Sequence, residues 1–62
     1  MNADPEWFST TDAAKQLGMT QRAVYRFIDT GQLPAYRFGR VIRVRSADLN
    51  EFIERARITP ER

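Results

Sequence analysis

Thr20-Gln21-Arg22-Ala23-Val24-Tyr25-Arg26-Phe27-Ile28-Asp29-Thr30-Gly31 is the stretch whose reading decides the fold. It carries a start signal, a stop signal and two unlike faces. Thr20 is a good N-cap, because its hydroxyl can accept from an orphan backbone N–H. Gly31 is a good stop, because the residue after a helix often needs positive φ. Between them Val24, Phe27 and Ile28 fall at i, i+3 and i+4, a single apolar stripe. Gln21, Arg22, Tyr25 and Arg26 lie elsewhere on the cylinder. So short a helix is not stable alone, and its stripe must dock on other elements.

The upstream neighbour supplies one. Ser9-Thr10-Thr11-Asp12 has the form of a capping box, with Asp in place of the usual Glu. The helix it opens, Thr10 to Leu17, offers Ala13, Ala14 and Leu17 to the core, with Phe8 as a staple. Adjacent alanines permit close approach of a second helix. Gly18 ends this helix, and Gly18-Met19-Thr20 leads straight into the next. A tight turn of this kind between two short helices is what a helix-turn-helix uses, and many helical hairpins share it. Met19 is placed beneath the corner.

Downstream the period changes. Pro34 blocks helix continuation and holds Leu33 extended. Ala35-Tyr36-Arg37-Phe38 and Val41-Ile42-Arg43-Val44-Arg45 alternate around Gly39-Arg40, which predicts a β-hairpin with a type II′ turn. The simplest register puts Tyr36, Phe38, Ile42 and Val44 on one face, packed on the helices. Arg37, Arg43 and Arg45 then line the other, with Arg40 at the tip. Ser46 reads as the N-cap of a last helix with Asp48 in its first turn. Leu49, Phe52, Ile53 and Ala56 form its apolar stripe, and Glu51 and Arg55 form an i, i+4 pair. The expected fold is mainly α with a small β-hairpin: helix, tight turn, second helix, two-stranded wing, C-terminal helix. Residues 1–6 read as a lead-in, 7–58 as the domain and 59–62 as a tail. Trp7, Phe8, Phe27, Phe38 and Phe52 are expected in the core.

Composition narrows the function. The chain has 62 residues and a net charge of +2. It contains neither cysteine nor histidine, which excludes disulfides, Cys/His zinc sites and histidine catalysis. Lack of cysteine fits a reducing cytoplasm. Apolar runs fall short of the ~20 residues of a membrane span, and Met1–Glu6 lacks the regions of a signal peptide. The charge is segregated. From Lys15 to Arg45 there are seven basic residues against Asp29 alone, whereas residues 1–14 hold three acids and no base. One side facing a polyanion is the implied arrangement.

The residue types suit double-stranded DNA. Arg22 and Arg26, one turn apart, can reach a guanine edge or a phosphate. Gln21 can pair with an adenine edge. Thr20 and the first backbone N–H groups of the helix suit a phosphate. Tyr25 offers a hydroxyl to a phosphate or a ring to a thymine methyl, or else packs against the wing. Arg40 at the wing tip can enter a narrow minor groove. Arg37, Arg43 and Arg45 can contact phosphates, and Arg43 and Arg45 can alternatively pair with Asp48 or Glu51. Lys15 can touch backbone or simply be solvated.

The run Ser9 to Arg40 resembles the excisionase-family, MerR-like winged-helix domain. The resemblance rests on Ala13-Ala14, Leu17-Gly18, the Thr20 cap, Val24-Tyr25, Gly31-Gln32-Leu33-Pro34 and Arg40, with Ile42-Arg43-Val44 and Asp48-Leu49 matching the usual ending. It implies DNA binding by the second helix and wing, and no active site. Without a coiled-coil helix or effector domain in the sequence, a phage excisionase that directs recombination is the nearer role. Such a protein binds several sites cooperatively, bends the DNA, and contacts integrase and neighbouring copies of itself. Glu51, Glu54, Arg55 and Ile58 are candidates for that protein contact. A small transcriptional regulator is the alternative, and a module binding an acidic protein is a third. Neither cofactor, metal nor small-molecule ligand is expected. Asp12, or Asp48 with Glu51, lacks the partners that acid–base catalysis would need.

Overall fold

The computed structural model describes residues 6–58. The expected ends of the lead-in and the tail, residues 1–5 and 59–62, lie outside them. The elements run β1 (Trp7–Ser9), α1 (Thr10–Leu17), α2 (Gln21–Asp29), β2 (Tyr36–Phe38), β3 (Val41–Arg45) and α3 (Ser46–Ala56). This is a winged helix-turn-helix: three helices and a three-stranded antiparallel sheet of order β1-β3-β2.

Both helix starts follow from their caps. Ser9 Oγ accepts from the Asp12 N–H at 3.0 Å, and Thr20 Oγ1 accepts from the Ala23 N–H at 3.1 Å. Replacing such a cap by Ala typically costs about 1 kcal/mol. The stops share one pattern of bonds. After α2 the Gly31 N–H donates to the Ile28 carbonyl at 3.0 Å and the Gln32 N–H to the Phe27 carbonyl at 2.9 Å. Gly31 takes φ +80° to make this possible. After α1 the Gly18 N–H reaches Lys15 and the Met19 N–H reaches Ala14 in the same way. The chain therefore reverses tightly at both ends of α2.

Two expectations about the sheet need correction. Residues 7–9 add a third strand: Trp7 pairs with Arg45, Phe8 with Val44 and Ser9 with Arg43. The Ser46 N–H extends this ladder to the Glu6 carbonyl at 2.7 Å, so Glu6 joins the fold. The hairpin register also differs from the simplest one. A two-residue loop sets Phe38 opposite Val41, Arg37 opposite Ile42 and Tyr36 opposite Arg43. Directly opposed residues share a face. The inner face is thus Phe8, Arg37, Ile42 and Val44, and the outer face is Trp7, Tyr36, Phe38, Val41, Arg43 and Arg45. Gly39 has φ +67°, and among the described residues no non-glycine residue has positive φ, so the loop has the φ signs of type II′ and not of type I′.

The core sits between α1, α2, α3 and the inner face. Ala13, Val24, Leu33, Val44 and Leu49 are at most 1% exposed, with Ala14 and Phe52 close behind. Phe8, Leu17, Met19, Phe27, Ile28 and Ala35 pack around them. Phe27 and Phe52 meet edge to face at 5.1 Å, joining α2 to α3. Each large apolar side chain buried here contributes roughly 1.5–3 kcal/mol. Trp7 and Phe38, expected in the core, are instead 37% and 54% exposed on the outer face. The register puts them there. Trp7 leans on Tyr36 and Phe38 edge to face, at 5.3 and 5.4 Å, and Arg45 lies 5.9 Å from its ring centre.

The last helix departs in detail. Ser46 is its first residue, not its cap; Arg45 holds the cap position without a side-chain bond. The strand runs directly into the helix, and the Ser46 N–H is spent on Glu6. Leu49 and Phe52 are buried, but Ile53 and Ala56 are exposed, so the stripe is narrower than expected. Arg55 and Glu51 do pair, at 3.9 Å, and Arg55 Nη2 also donates to the Gln32 carbonyl at 2.9 Å.

Candidate nucleic-acid interface

Burial of Val24, Phe27 and Ile28 turns the opposite side of α2 outward. Gln21, Arg22, Tyr25 and Arg26 are all exposed there. They form two rows along the helix, each at i, i+4. Arg22 and Arg26 border a shallow groove of about 290 Å³ with Thr20, Ala23 and Phe27. Three expected contact residues, Thr20, Arg22 and Arg26, are thus brought together along one side of the helix, from its N-cap to its last turn.

Gln21 and Tyr25 form the second row, and both meet Thr10. Gln21 Nε2 donates to Thr10 Oγ1 at 2.7 Å, and Thr10 Oγ1 lies 3.4 Å from the Tyr25 hydroxyl, a long contact. Thr10 is only 5% exposed, the one buried polar residue among those described. Tyr25 therefore reaches α1, with 38% of its surface open. Thr10 was absent from the sequence-based candidates. Its signal was its position: the first residue of one helix facing the first residue of the next across a tight turn.

The wing residues separate. Arg40 sits in the exposed two-residue loop, next to Gly39. Arg37 lies on the helix side of the sheet, at its edge, while Arg43 and Arg45 lie on the outer side. The expected row of three arginines on one face is split by the register. Arg43 is half-buried and donates to the Ile42 carbonyl at 3.3 Å; it pairs with neither Asp48 nor Glu51. Among the described residues Arg55–Glu51 is the ion pair, so Arg22, Arg26, Arg37, Arg40, Arg43 and Arg45 keep unneutralised guanidinium groups. Lys15 is exposed on α1.

Two capped helices joined by a three-residue turn, with a hairpin beside them, define a helix-turn-helix protein. Residues 7–57 match the family described as the helix-turn-helix domain, and the chain belongs to that family. It is a DNA-binding domain. No curated protein and no solved structure matches it. Among the described residues no helix is long and apolar enough to cross a membrane, and no three acidic, histidine or cysteine side chains form a metal-binding group.

Proposed function

We propose that the domain reads duplex DNA with α2 in the major groove and Arg40 at the adjacent minor groove, and that it acts as an excisionase-like architectural factor. The observation that carries the reading is the outward side of α2: two arginines without an ion-pair partner among the described residues, an amide and a phenol, on a helix whose other side packs on the core through Val24, Phe27 and Ile28. Arg22 and Arg26 supply base or phosphate contacts, Gln21 a base contact, and Thr20 with the open N–H groups a phosphate contact. Arg37 and Arg43, on opposite sides of the wing, cannot share one phosphate track through a single sheet face. Arg37 follows the helix side, and Arg43 serves a strand that passes beyond the wing. No acid–base or nucleophilic pair belongs to the reading, and we take the domain to be a non-enzyme.

Support for the architectural role is the resemblance of Ser9–Arg40 to excisionases and an apolar groove that α3 forms with α1, α2 and the turn between them, with Ile58 exposed just beyond. Ile58 is 91% exposed, and Leu17, Met19, Phe27, Phe52 and Ile53 border an open groove of about 520 Å³. A neighbouring copy or integrase is the partner we assign to this groove. Cooperation would offset the bending cost, of order 1–6 kcal/mol for a 20–30 bp site.

The test begins with selection of sites from a random duplex library. Arg22→Ala or Arg26→Ala should cost ~1–3 kcal/mol on the selected site if each reads a base. Arg40→Ala should lower the salt slope by about 1. Unchanged binding by all three folded variants removes the proposed surface. Bending of the selected site, cooperative filling of adjacent sites and a shift from integration to excision in a reconstituted recombination reaction would support the finer role. A single unbent site that represses a promoter would favour the regulator.

A further inference from the structure

The side chain of Thr10 belongs to α1, yet its hydroxyl is committed to two residues of α2. We infer that Thr10 is a specificity-positioning residue: it orients the Gln21 amide so that α2 presents a fixed acceptor–donor edge to an A·T pair. The inference rests on the proposed reading of α2 and extends it to a residue that touches no DNA.

The argument starts from the amide. A glutamine side chain has one acceptor and two donors on a terminal torsion with a broad, two-fold energy profile. Left alone, it presents either edge, and an exposed glutamine pays rotamer entropy to settle on one. Here one Nε2–H is taken by Thr10 Oγ1 at 2.7 Å, a short bond for a neutral pair. The Thr10 oxygen is itself immobile, since the residue is 5% exposed and stands in the first turn of α1. The remaining Nε2–H and Oε1 are the two groups that match adenine N7 and N6–H₂ in the major groove. With the Thr10 O–H directed at Tyr25, its oxygen faces Gln21 as an acceptor, so a flipped amide would set Oε1 against that oxygen, and the adenine-reading edge stays free.

The hydroxyl proton of Thr10 points the other way, toward the Tyr25 oxygen at 3.4 Å. That contact is long and adds little energy, but its direction matters. A tyrosine oxygen that accepts from inside keeps its own O–H for a donor contact outside. Gln21 and Tyr25, one turn apart, are therefore both biased from beneath by one buried hydroxyl. No other buried polar residue among those described could serve.

Site selection with four proteins tests this: wild type, Gln21→Ala, Thr10→Val and Thr10→Ser. Valine keeps the shape of threonine and lacks the hydroxyl; serine keeps the hydroxyl. Gln21→Ala should erase the preference for A·T at one base-pair position. Thr10→Val should weaken the preference at that same position about five- to tenfold, and Thr10→Ser should retain it. Affinity for random duplex and its salt slope should stay as in wild type for Thr10→Val and Thr10→Ser, a split that general loosening of the fold would not produce. Preference retained by Thr10→Val, lost equally at every position, or lost at a position other than that of Gln21 overturns the inference. A wild-type protein that selects no sequence overturns the reading of α2 itself. Should Thr10→Val fail to fold, NMR of the wild type decides: the Gln21 side-chain amide should contact the Thr10 methyl group and be far less mobile than that of exposed Gln16. Equal mobility of the two amides overturns it.

Discussion

Val24 on α2 and Val44 on β3 are both fully buried, yet different geometry holds each in place. Val24 belongs to a helical stripe, where the next inward residues are three and four places on. An error of one residue rotates the stripe by 100° and still leaves part of it inward. Val44 belongs to a strand, where every neighbour points the opposite way. An error of one residue reverses the whole face. The helix pair therefore has a tolerant code, and the sheet has an all-or-none code set by its loop. With a two-residue loop at Gly39-Arg40, opposed positions pair odd with even, and Phe38 is thrown outward while Ile42 turns in.

The joint between the two regions should show the largest effect. Leu33 is 1% exposed and follows the stop of α2, just before the sheet begins. Leu33→Ala should cost ~2–5 kcal/mol, a large share of the ~5–15 kcal/mol available to such a domain. Urea unfolding followed by circular dichroism should show helices and sheet lost together. Loss of the sheet signal alone, with the helices retained, would show that the two regions fold apart.

A pair of threonine substitutions then tests the sheet code itself. Val44→Thr buries a hydroxyl and should cost roughly 1–3 kcal/mol. Phe38→Thr acts on a side chain 54% exposed, keeps a good strand former and should cost less, under about 1 kcal/mol. The reverse order would restore Phe38 to the core and refute the observed register. Because Trp7 is the sole tryptophan and rests on Phe38, its fluorescence should shift with Phe38→Thr even though stability changes little.

The two glycines that bound these regions sharpen the contrast further. Gly31 ends α2 and Gly39 starts the wing loop, at φ +80° and +67°. A Cβ at either would meet nothing within 4 Å, so only backbone strain opposes alanine. Each Gly→Ala change should cost ~1–2 kcal/mol. Amide hydrogen exchange should distinguish them. Gly31→Ala should speed exchange at Gln32 and Leu33, whose N–H groups bond to Phe27. Gly39→Ala should act on β2 and β3 alone. Spread of the Gly39→Ala effect into α2 would mean that the wing is coupled to the helix that the reading assigns to DNA.

These differences explain how much was legible from sequence. The caps at Ser9 and Thr20, the stops at Gly18 and Gly31 and the stripe of α2 were readable because each is local. Gly39-Arg40 was readable as a type II′ turn for the same reason. The face assignment of Tyr36 and Phe38 was not, since it depends on loop length to the single residue. Strand β1 was invisible: Trp7-Phe8-Ser9 is too short to show a period, and its pairing with β3 is a long-range event. Ser46 looked like a cap because the sequence does not show that its N–H continues a ladder to Glu6. Among candidate site residues, the exposed side of α2 followed from its stripe. The split of Arg37 from Arg43 was inherited from the register error, and Thr10 needed the crossing of two helices to be seen.

The smallest effect concerns how α3 is tied to the end of α2. Arg55 faces Glu51 at 3.9 Å and donates to the Gln32 carbonyl at 2.9 Å. Sequence pattern reveals the first contact and not the second. The ion pair is long and both side chains are more than half exposed, so water screens it; such pairs contribute between nothing and about 1 kcal/mol. The carbonyl bond is shorter and charge-assisted, and it holds the backbone immediately after Gly31 against α3. Glu51→Gln should then leave the unfolding midpoint within error at any salt concentration. Arg55→Met keeps most of the alkyl stem and loses both contacts, and should cost roughly 0.5–1 kcal/mol. The cost should persist in high salt, because a hydrogen bond to a carbonyl is screened less than a pair of opposite charges. Equal losses for the two variants, both vanishing in salt, would return the tie to the ion pair and leave the Gln32 contact without energetic weight.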